Sequence, residues 1–507
     1  MKNSKIAVIV TVCVVAVLFA SFIAYNEGES DSDGFIIVHT NDTHCYFGDD
    51  GSLGFSTVKA LKDSYEERGE TVFVVDAGDF MQGNSYGTLT NGEAAIEVMN
   101  AVGYDVGIPG NHEFDFTLEV MLENISGLNF PIICSNLIYK SSGESIFPEY
   151  IVLEKGGKKV GFFGLLTPDT EKEAKKGCMG DSKVTDPFEA AERMVGILEE
   201  MDLDCIVALG HVGLDRSSTV NSDQICSMVS GIDIFIDGHS HTEMEYGKVC
   251  DGTIDVIPSD TTIASTGCFS AHVGTVTVTG DGEIEAKLYR GEKIDDAPVD
   301  DVVKKIHDDV EEILSQKIGH TEIFLDGERE NVRTKETNLA NLVADSMRAS
   351  TGSDIAVING GAVRTSIPPG DITMKDAYNV NPFINTLWVM DVTGKDLKNL
   401  MEFSYNKLGE VFGGFIQISG MTVKYDASKD PGSRVVSIEV NGKIVNEDDK
   451  FTLVTTDFIA TGGDGNETFI GLRHDIYGEM LPLMVDYIRS LGDITESSVT
   501  MERQISV

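Results

Sequence analysis

At 507 residues the chain is too long for one hydrophobic core to keep growing, so two large domains are expected; 41% apolar and 24% charged residues exclude a fibrous or wholly disordered protein. A formal net charge of −44 argues against nonspecific binding to DNA, RNA or anionic headgroups, because so acidic a surface repels polyanions. Solubility or adaptation to salt would account for the charge alone, whereas an anionic substrate would need local bound cations or clustered arginines to reverse the field.

Lys2 and Lys5 precede an apolar run from Ile6 to Ala24, broken only by Thr11 and Ser21. At roughly 19 residues it reaches the span of a bilayer and exceeds the usual core of a cleaved signal. Residues 1–33 are therefore expected to be a membrane anchor or signal with an acidic stalk from Glu27 onward, an uncleaved anchor being favoured. The lysines then stay cytoplasmic and the body is exported to the cell surface, or is secreted or periplasmic if the segment is cleaved. Of the eight cysteines, Cys13, Cys45, Cys134, Cys178, Cys205, Cys226, Cys250 and Cys268, no two are spaced as a zinc knuckle. Export permits disulfides, but buried free thiols are expected for most.

From Phe35 the chain repeats a short apolar run, a polar turn and a helical stretch, which is an α/β pattern. The strand candidates are 35–38, 72–75, 106–108, 205–209 and 232–236. A polar, helix-prone stretch follows, with Val299, Val302, Val303, Ile306, Val310, Ile313 and Leu314 at helical spacing over 299–316. A second α/β block has strand candidates at 355–358, 386–392, 421–425, 435–440 and 451–455. The expected division is an N-terminal α/β domain over 34–293, an interdomain helix over 294–318 and a C-terminal α/β domain over 319–507.

The turns after the first five strands carry Asp42 and His44, then Asp79, then Asn111 and His112, then His211, then His239 and His241. Any one of these alone reads as a cap or a satisfied turn residue. Together they form a set of imidazole and carboxylate ligands suited to zinc, manganese, cobalt or iron, and in α/β sheets such turns gather at one edge. A shared carboxylate can bridge two ions roughly 3.5–4 Å apart, and Asp79 is the candidate bridge.

The strings HTNDTH, GDFMQGN, GNHEFD, GHVG and GHSH, in this order, resemble the calcineurin-like metallophosphoesterases. More narrowly, the chain from about Phe35 to about Ser490 resembles the family of bacterial UDP-sugar hydrolases and animal ecto-5'-nucleotidases. The resemblance implies a four-layered αββα catalytic domain followed by a 5'-nucleotidase-type substrate domain. It implies one divalent metal on Asp42, His44, Asp79 and His241 and a second on Asp79, Asn111, His211 and His239, with zinc, manganese or cobalt as candidates. His112 is then not a ligand but faces the phosphate, its ring held by Asp115, and a metal-bound water attacks phosphorus in line.

Arg329 and Arg333 in GERENVR and Arg364 in NGGAVR are notable in so acidic a chain, since guanidinium forks bind phosphate bidentately, although each alone would read as a surface ion pair. Phe383 and Phe458 by themselves read as core. The resemblance instead matches them to the phenylalanines that sandwich a nucleobase, and matches Asn359, Arg364 and Asp464 to phosphate or ribose contacts. Metals on one domain and a base pocket on the other imply closure about the helix near 299–316.

The expected partner is a nucleotide, not a nucleic-acid polymer, and the sequence leaves the oligomeric state open. The expected reaction is phosphate release from nucleoside 5'-monophosphates, with nucleoside di- and triphosphates and UDP-sugars as further substrates. Because His241 completes a GHSH string also found in related enzymes, a 2',3'-cyclic-nucleotide 2'-phosphodiesterase with 3'-nucleotidase activity is the alternative. A catalytically silent nucleotide-binding surface protein is the alternative of another class.

Overall fold

In the strands of the first half, alternate residues face different layers, as a period of two requires. The computed structural model describes residues 33–48, 51–174, 177–216, 218–383 and 385–507, so the expected membrane segment lies outside the described residues. Among the described residues no helix is long and apolar enough to cross a membrane. The chain divides into two compact units, one ending at Ile306 and the other running from His307 to Val507.

The first unit contains two larger sheets. One has five strands in the order Ile284–Tyr289, Val273–Val278, Phe35–Thr40, Val72–Asp76 and Val106–Gly107, the last three parallel. The other has seven, in the order Lys248–Val249, Glu243–Glu245, Thr262–Thr266, Ile234–Asp237, Cys205–His211, Lys158–Leu166 and Tyr150–Lys155. Its four central strands are parallel.

The two sheets share one core. Phe35, Ile37, Phe73 and Val75 of the first sheet belong to the same buried cluster as Val160, Phe162, Cys205, Val207, Ile234 and Ile236 of the second. The intervening residues of the second sheet, Phe163, Leu165, Ile206, Ala208 and Phe235, turn the other way. They pack with Ala190, Met194, Leu198 and Ile225 from the helices Pro187–Leu198 and Ser222–Met228. The helix Gly54–Glu67 lies against the outer face of the first sheet, which completes an αββα stack.

In the second unit, the five-stranded sheet Ile416–Ser419, Ile355–Asn359, Lys450–Thr456, Thr386–Thr393, His474–Glu479 has a core on each face. Ala356, Ile358 and Leu387 pack with the helices Asn338–Thr351 and Met480–Leu491. Ile355, Val357 and Met390 pack with the helix Gly394–Tyr405.

The helix expected over 299–316 is observed as Ala297–Leu314, with Val299, Val303, Ile306, Val310 and Leu314 buried. Its burial stripe is narrower than the sequence pattern, since Val302 and Ile313 are only half-buried. All seven cysteines from Cys45 to Cys268 are free thiols, and Cys45, Cys134, Cys205 and Cys226 are buried.

Candidate metal centre

The seven ligand-type residues occupy the carboxyl ends of parallel strands, but these strands belong to two sheets. Asp42, His44, Asp79 and Asn111 follow strands of the five-stranded sheet; His211 is the last residue of Cys205–His211, and His239 and His241 follow Ile234–Asp237 in the seven-stranded one. Face-to-face stacking brings the two strand edges together, which a list of turns in chain order does not convey. Asp42, His44, Asp79, Asn111 and His211 are buried, while His241 is exposed at the rim.

The ring hydrogen bonds identify which nitrogens can bind a cation. His44 Nδ1 lies 2.6 Å from Gln82 O, and His211 Nδ1 lies 2.8 Å from Ala77 O. A carbonyl only accepts, so each Nδ1 carries the hydrogen, and Nε2 is the nitrogen left to bind a cation once the ring is neutral. These nitrogens face further ligand-type atoms. His44 Nε2 is 3.1 Å from His241 Nε2, and His211 Nε2 is 3.1 Å from both Asn111 Oδ1 and Asp79 Oδ2. His239 Nδ1 is 2.9 Å from the same Asn111 oxygen, and His241 Nε2 is 3.5 Å from Asp42 Oδ1.

Carboxylates, an amide oxygen and imidazole nitrogens crowded into one buried space suit shared positive charge. The donor set therefore fits divalent cations: ligand atoms of Asp42, His44 and His241 lie within 4.8 Å of one another, as do those of Asp42, Asp79 and His211.

Protonation follows the same field. Burial acts to raise Asp79, but the surrounding imidazoles, His211 first, hold it well below the usual carboxylate range. Without a cation, burial acts to lower His211 and the Asp79 carboxylate outweighs it, pushing the ring up to about 10, so Nε2 carries a proton that a divalent cation would displace. Burial lowers His239 and His241 to about 4 each, so both rings offer lone pairs at neutral pH.

The backbone is strained where the ligands are. Asp42, His44, Asp79, His239 and His241 all have φ between 48° and 76°, a left-handed conformation costly for residues with a Cβ. Gly110 permits the closest approach, since a Cβ there would sit 2.1 Å from Asp79 Oδ1. His112 opens a short 3₁₀ turn ending at Phe114, and its Nδ1 is 2.7 Å from Asp115 Oδ2. The His112 ring lies edge-on to His44 at 5.2 Å.

Three residues that hold this centre were not singled out from the sequence. Glu113 is fully buried and accepts four backbone N–H groups: Asp79 at 2.9 Å, Phe80 at 2.8 Å, Met81 at 2.9 Å and Gly110 at 2.5 Å. Asn41 donates to Asp42 Oδ2 at 2.7 Å and to Gly267 O at 2.9 Å. Phe269 packs within 5.4 Å of both His44 and His241, and its φ of 57° is itself left-handed. Asn41 and Glu113 lie inside the strings that drew notice, and that adjacency was the available signal. Phe269 had none.

The second unit gathers the other candidates. Burial and the charges of Arg329 and Arg364 lower Arg333 from its ordinary value. Arg333 Nε and Asn359 Oδ1 are buried without a hydrogen-bond partner. Asn359 Nδ2 donates to Asp464 Oδ2 at 2.7 Å, and Arg364 lies over the Phe383 ring at 5.6 Å. Phe383 and Phe458 are 43% and 44% exposed, so neither is core. Gly463 permits a close approach, because a Cβ there would lie 2.5 Å from the backbone oxygen of Phe458.

Comparison with known proteins agrees with this layout. The family model for Calcineurin-like phosphoesterase matches residues 35–243, and that for 5'-nucleotidase, C-terminal domain matches residues 317–471. Trifunctional nucleotide phosphoesterase protein YfkN of Bacillus subtilis (strain 168) is 33% identical over 90% of this chain, which spans only 34% of that relative. The 5'-nucleotidase of Vibrio vulnificus (strain CMCP6) is 27% identical over 86% of each chain. Among solved structures, the 5'-nucleotidase precursor from Thermus thermophilus superposes with a TM-score of 0.58 at 27% identity, covering 94% of this chain and 99% of that one. With both domain models matched in order along one chain, the protein belongs to the 5'-nucleotidase family of calcineurin-like metallophosphoesterases.

Proposed function

We propose that the chain is a two-metal hydrolase releasing phosphate from nucleoside 5'-monophosphates, with nucleoside di- and triphosphates and UDP-sugars as further candidate substrates. The observation that carries this reading is the set of imidazole nitrogens and carboxylates brought together where the strand ends of two stacked sheets meet, with the His112–Asp115 pair beside it. In this reading Asp42, His44, Asp79 and His241 hold one cation and Asp79, Asn111, His211 and His239 the other. Zinc, manganese and cobalt all suit the donors. Divalent cations held there would supply charge neutralisation for phosphate oxygens and a lowered pKa for water.

The chain's own groups do the rest. Asp115 accepts from His112 Nδ1 and so fixes the ring with Nε2 free to donate to the leaving oxygen or to the transferring phosphoryl group. Arg333 and Arg364, with Arg329 nearby, supply positive charge for a substrate anion on an acidic chain, and the unpartnered Arg333 Nε supports that role. Phe383 and Phe458 stack the nucleobase, while Asn359 and Asp464 bind the sugar or phosphate. Export by residues 1–33, with the body at the cell surface or released by cleavage, belongs to the same reading.

The test is phosphate release from AMP, a UDP-sugar and 2',3'-cyclic AMP by protein loaded with manganese, zinc or cobalt, each with a chelator control. Chelator-sensitive release from AMP with little action on the cyclic ester is the expected result. Preference for the cyclic ester assigns the chain to the phosphodiesterase alternative, and no release from any substrate by fully loaded protein overturns the enzymatic reading.

A further inference from the structure

The strands Thr386–Thr393 and Lys450–Thr456 pair antiparallel, and their ladder ends where Leu387 faces Thr456. One residue beyond, a side chain takes over the contact. Asp457 Oδ2 accepts Thr386 N at 3.1 Å and Thr386 Oγ1 at 2.8 Å, while Oδ1 accepts Asn385 Nδ2 at 3.0 Å and Phe458 N at 2.8 Å. Four donors thus occupy the acceptor capacity of one carboxylate. The clasp is itself braced, since Trp388 Nε1 donates to Thr386 Oγ1 at 3.1 Å and Met480 N donates to Asn385 O at 2.9 Å.

Each segment gripped by Asp457 presents an exposed aromatic within a few residues: Phe458 next to it in sequence, and Phe383 two residues before Asn385. Exposed rings on a loose loop would have to be ordered when a planar ligand inserts, at a cost in conformational entropy. A clasp tying both segments to the end of a sheet prepays that ordering.

We propose that Asp457 is a positioning residue that sets the placement of Phe383 and Phe458, and through them the affinity for the base of the nucleotide. The inference rests on the reading above that these two rings stack the nucleobase. The carboxylate's hydrogen bonds all go to Asn385, Thr386 and Phe458, so its removal should act on binding of base-bearing substrates and leave the chemistry alone.

The test uses the full-length chain loaded with manganese and compares Asp457→Ala, the milder Asp457→Asn, Phe383→Ala and Phe458→Ala. KM and kcat are measured for AMP, and ribose 5-phosphate, which lacks the base, is followed as substrate or competitive inhibitor. The phenylalanine variants are expected to raise KM for AMP by about 5-fold or more, the range that loss of base stacking gives. Asp457→Ala is expected to raise it by about 10-fold, and Asp457→Asn by less, with kcat within about twofold and ribose 5-phosphate unaffected. Thermal unfolding identifies any variant that fails to fold, and Asp457→Asn then decides. If the phenylalanine variants raise KM but Asp457→Ala and Asp457→Asn do not, or if Asp457→Ala weakens ribose 5-phosphate equally, the positioning role is overturned while base stacking stands. If the phenylalanine variants leave KM unchanged, base stacking itself is wrong and the inference falls with it.

Discussion

Glu113 contributes no ligand atom of the proposed set, yet the turn that carries Asp79 is built on it. Its two oxygens divide four backbone donors, Phe80 and Met81 on Oε1 and Asp79 and Gly110 on Oε2, so both halves of the carboxylate are needed as acceptors. Glu113→Gln keeps the shape but turns an NH₂ group toward two N–H groups that cannot accept from it. An unpaired buried donor costs about 1–3 kcal/mol, and displaced supporting groups typically cost about 10–100-fold in metal affinity. Glu113→Gln should therefore lose about 2–4 kcal/mol in chemical unfolding and bind manganese about 10-fold or more weakly in titration calorimetry. Unchanged affinity would show that the Asp79 turn holds its left-handed conformation without this support.

At the scale of elements, the segment leaving the strand Cys205–His211 is pinned back by the first turn of the helix Ser222–Met228. Arg216 reaches Asp223 with both arms, Nη1 to Oδ1 at 2.8 Å and Nη2 to Oδ2 at 2.7 Å, and Ile257 N adds a third bond at 2.9 Å. Burial acts to raise Asp223, but the Arg216 fork and the Ile257 N–H outweigh it and hold the carboxyl below its ordinary 3.8. A carboxyl lowered in the folded state stabilises fully above its unfolded value, and that contribution is lost as pH falls through the folded value. Arg216→Met should therefore cost about 1 kcal/mol at neutral pH, a modest figure because the arginine is partly solvated. The gap to wild type should shrink below about pH 4, as urea unfolding across pH would reveal. A gap that persisted in acid would assign the effect to lost packing of the arginine stem.

For the whole molecule, a net charge of −44 means that compaction brings like charges together. Raising salt from about 20 mM to about 500 mM shortens the screening length from tens of ångströms to a few and should raise the thermal midpoint by a few degrees. A fall would mean that ion pairs such as Arg503–Asp345, 2.7 Å apart, outweigh the general repulsion.

The sequence by itself determined ten of the strands, that candidate ligand residues follow five of them, and that His112 and Asp115 can meet, because alternation of burial and the spacing within one turn are local properties. The ten expected strands are present with bounds within two residues, 106–108 shortened to Val106–Gly107 and 232–236 shifted to Ile234–Asp237, whereas Lys158–Leu166, Thr262–Thr266, Val273–Val278 and His474–Glu479 were not expected. Only the tertiary structure decided that Phe35–Thr40 lies between Val273–Val278 and Val72–Asp76, and that the ligand turns rise from two stacked sheets. It alone showed the left-handed φ of five ligand residues, the four donors on Glu113, the exposure of Phe383 and Phe458, and the clasp at Asp457. Each of these depends on groups far apart in the chain meeting across a sheet edge, and no local pattern of residue types encodes such a meeting.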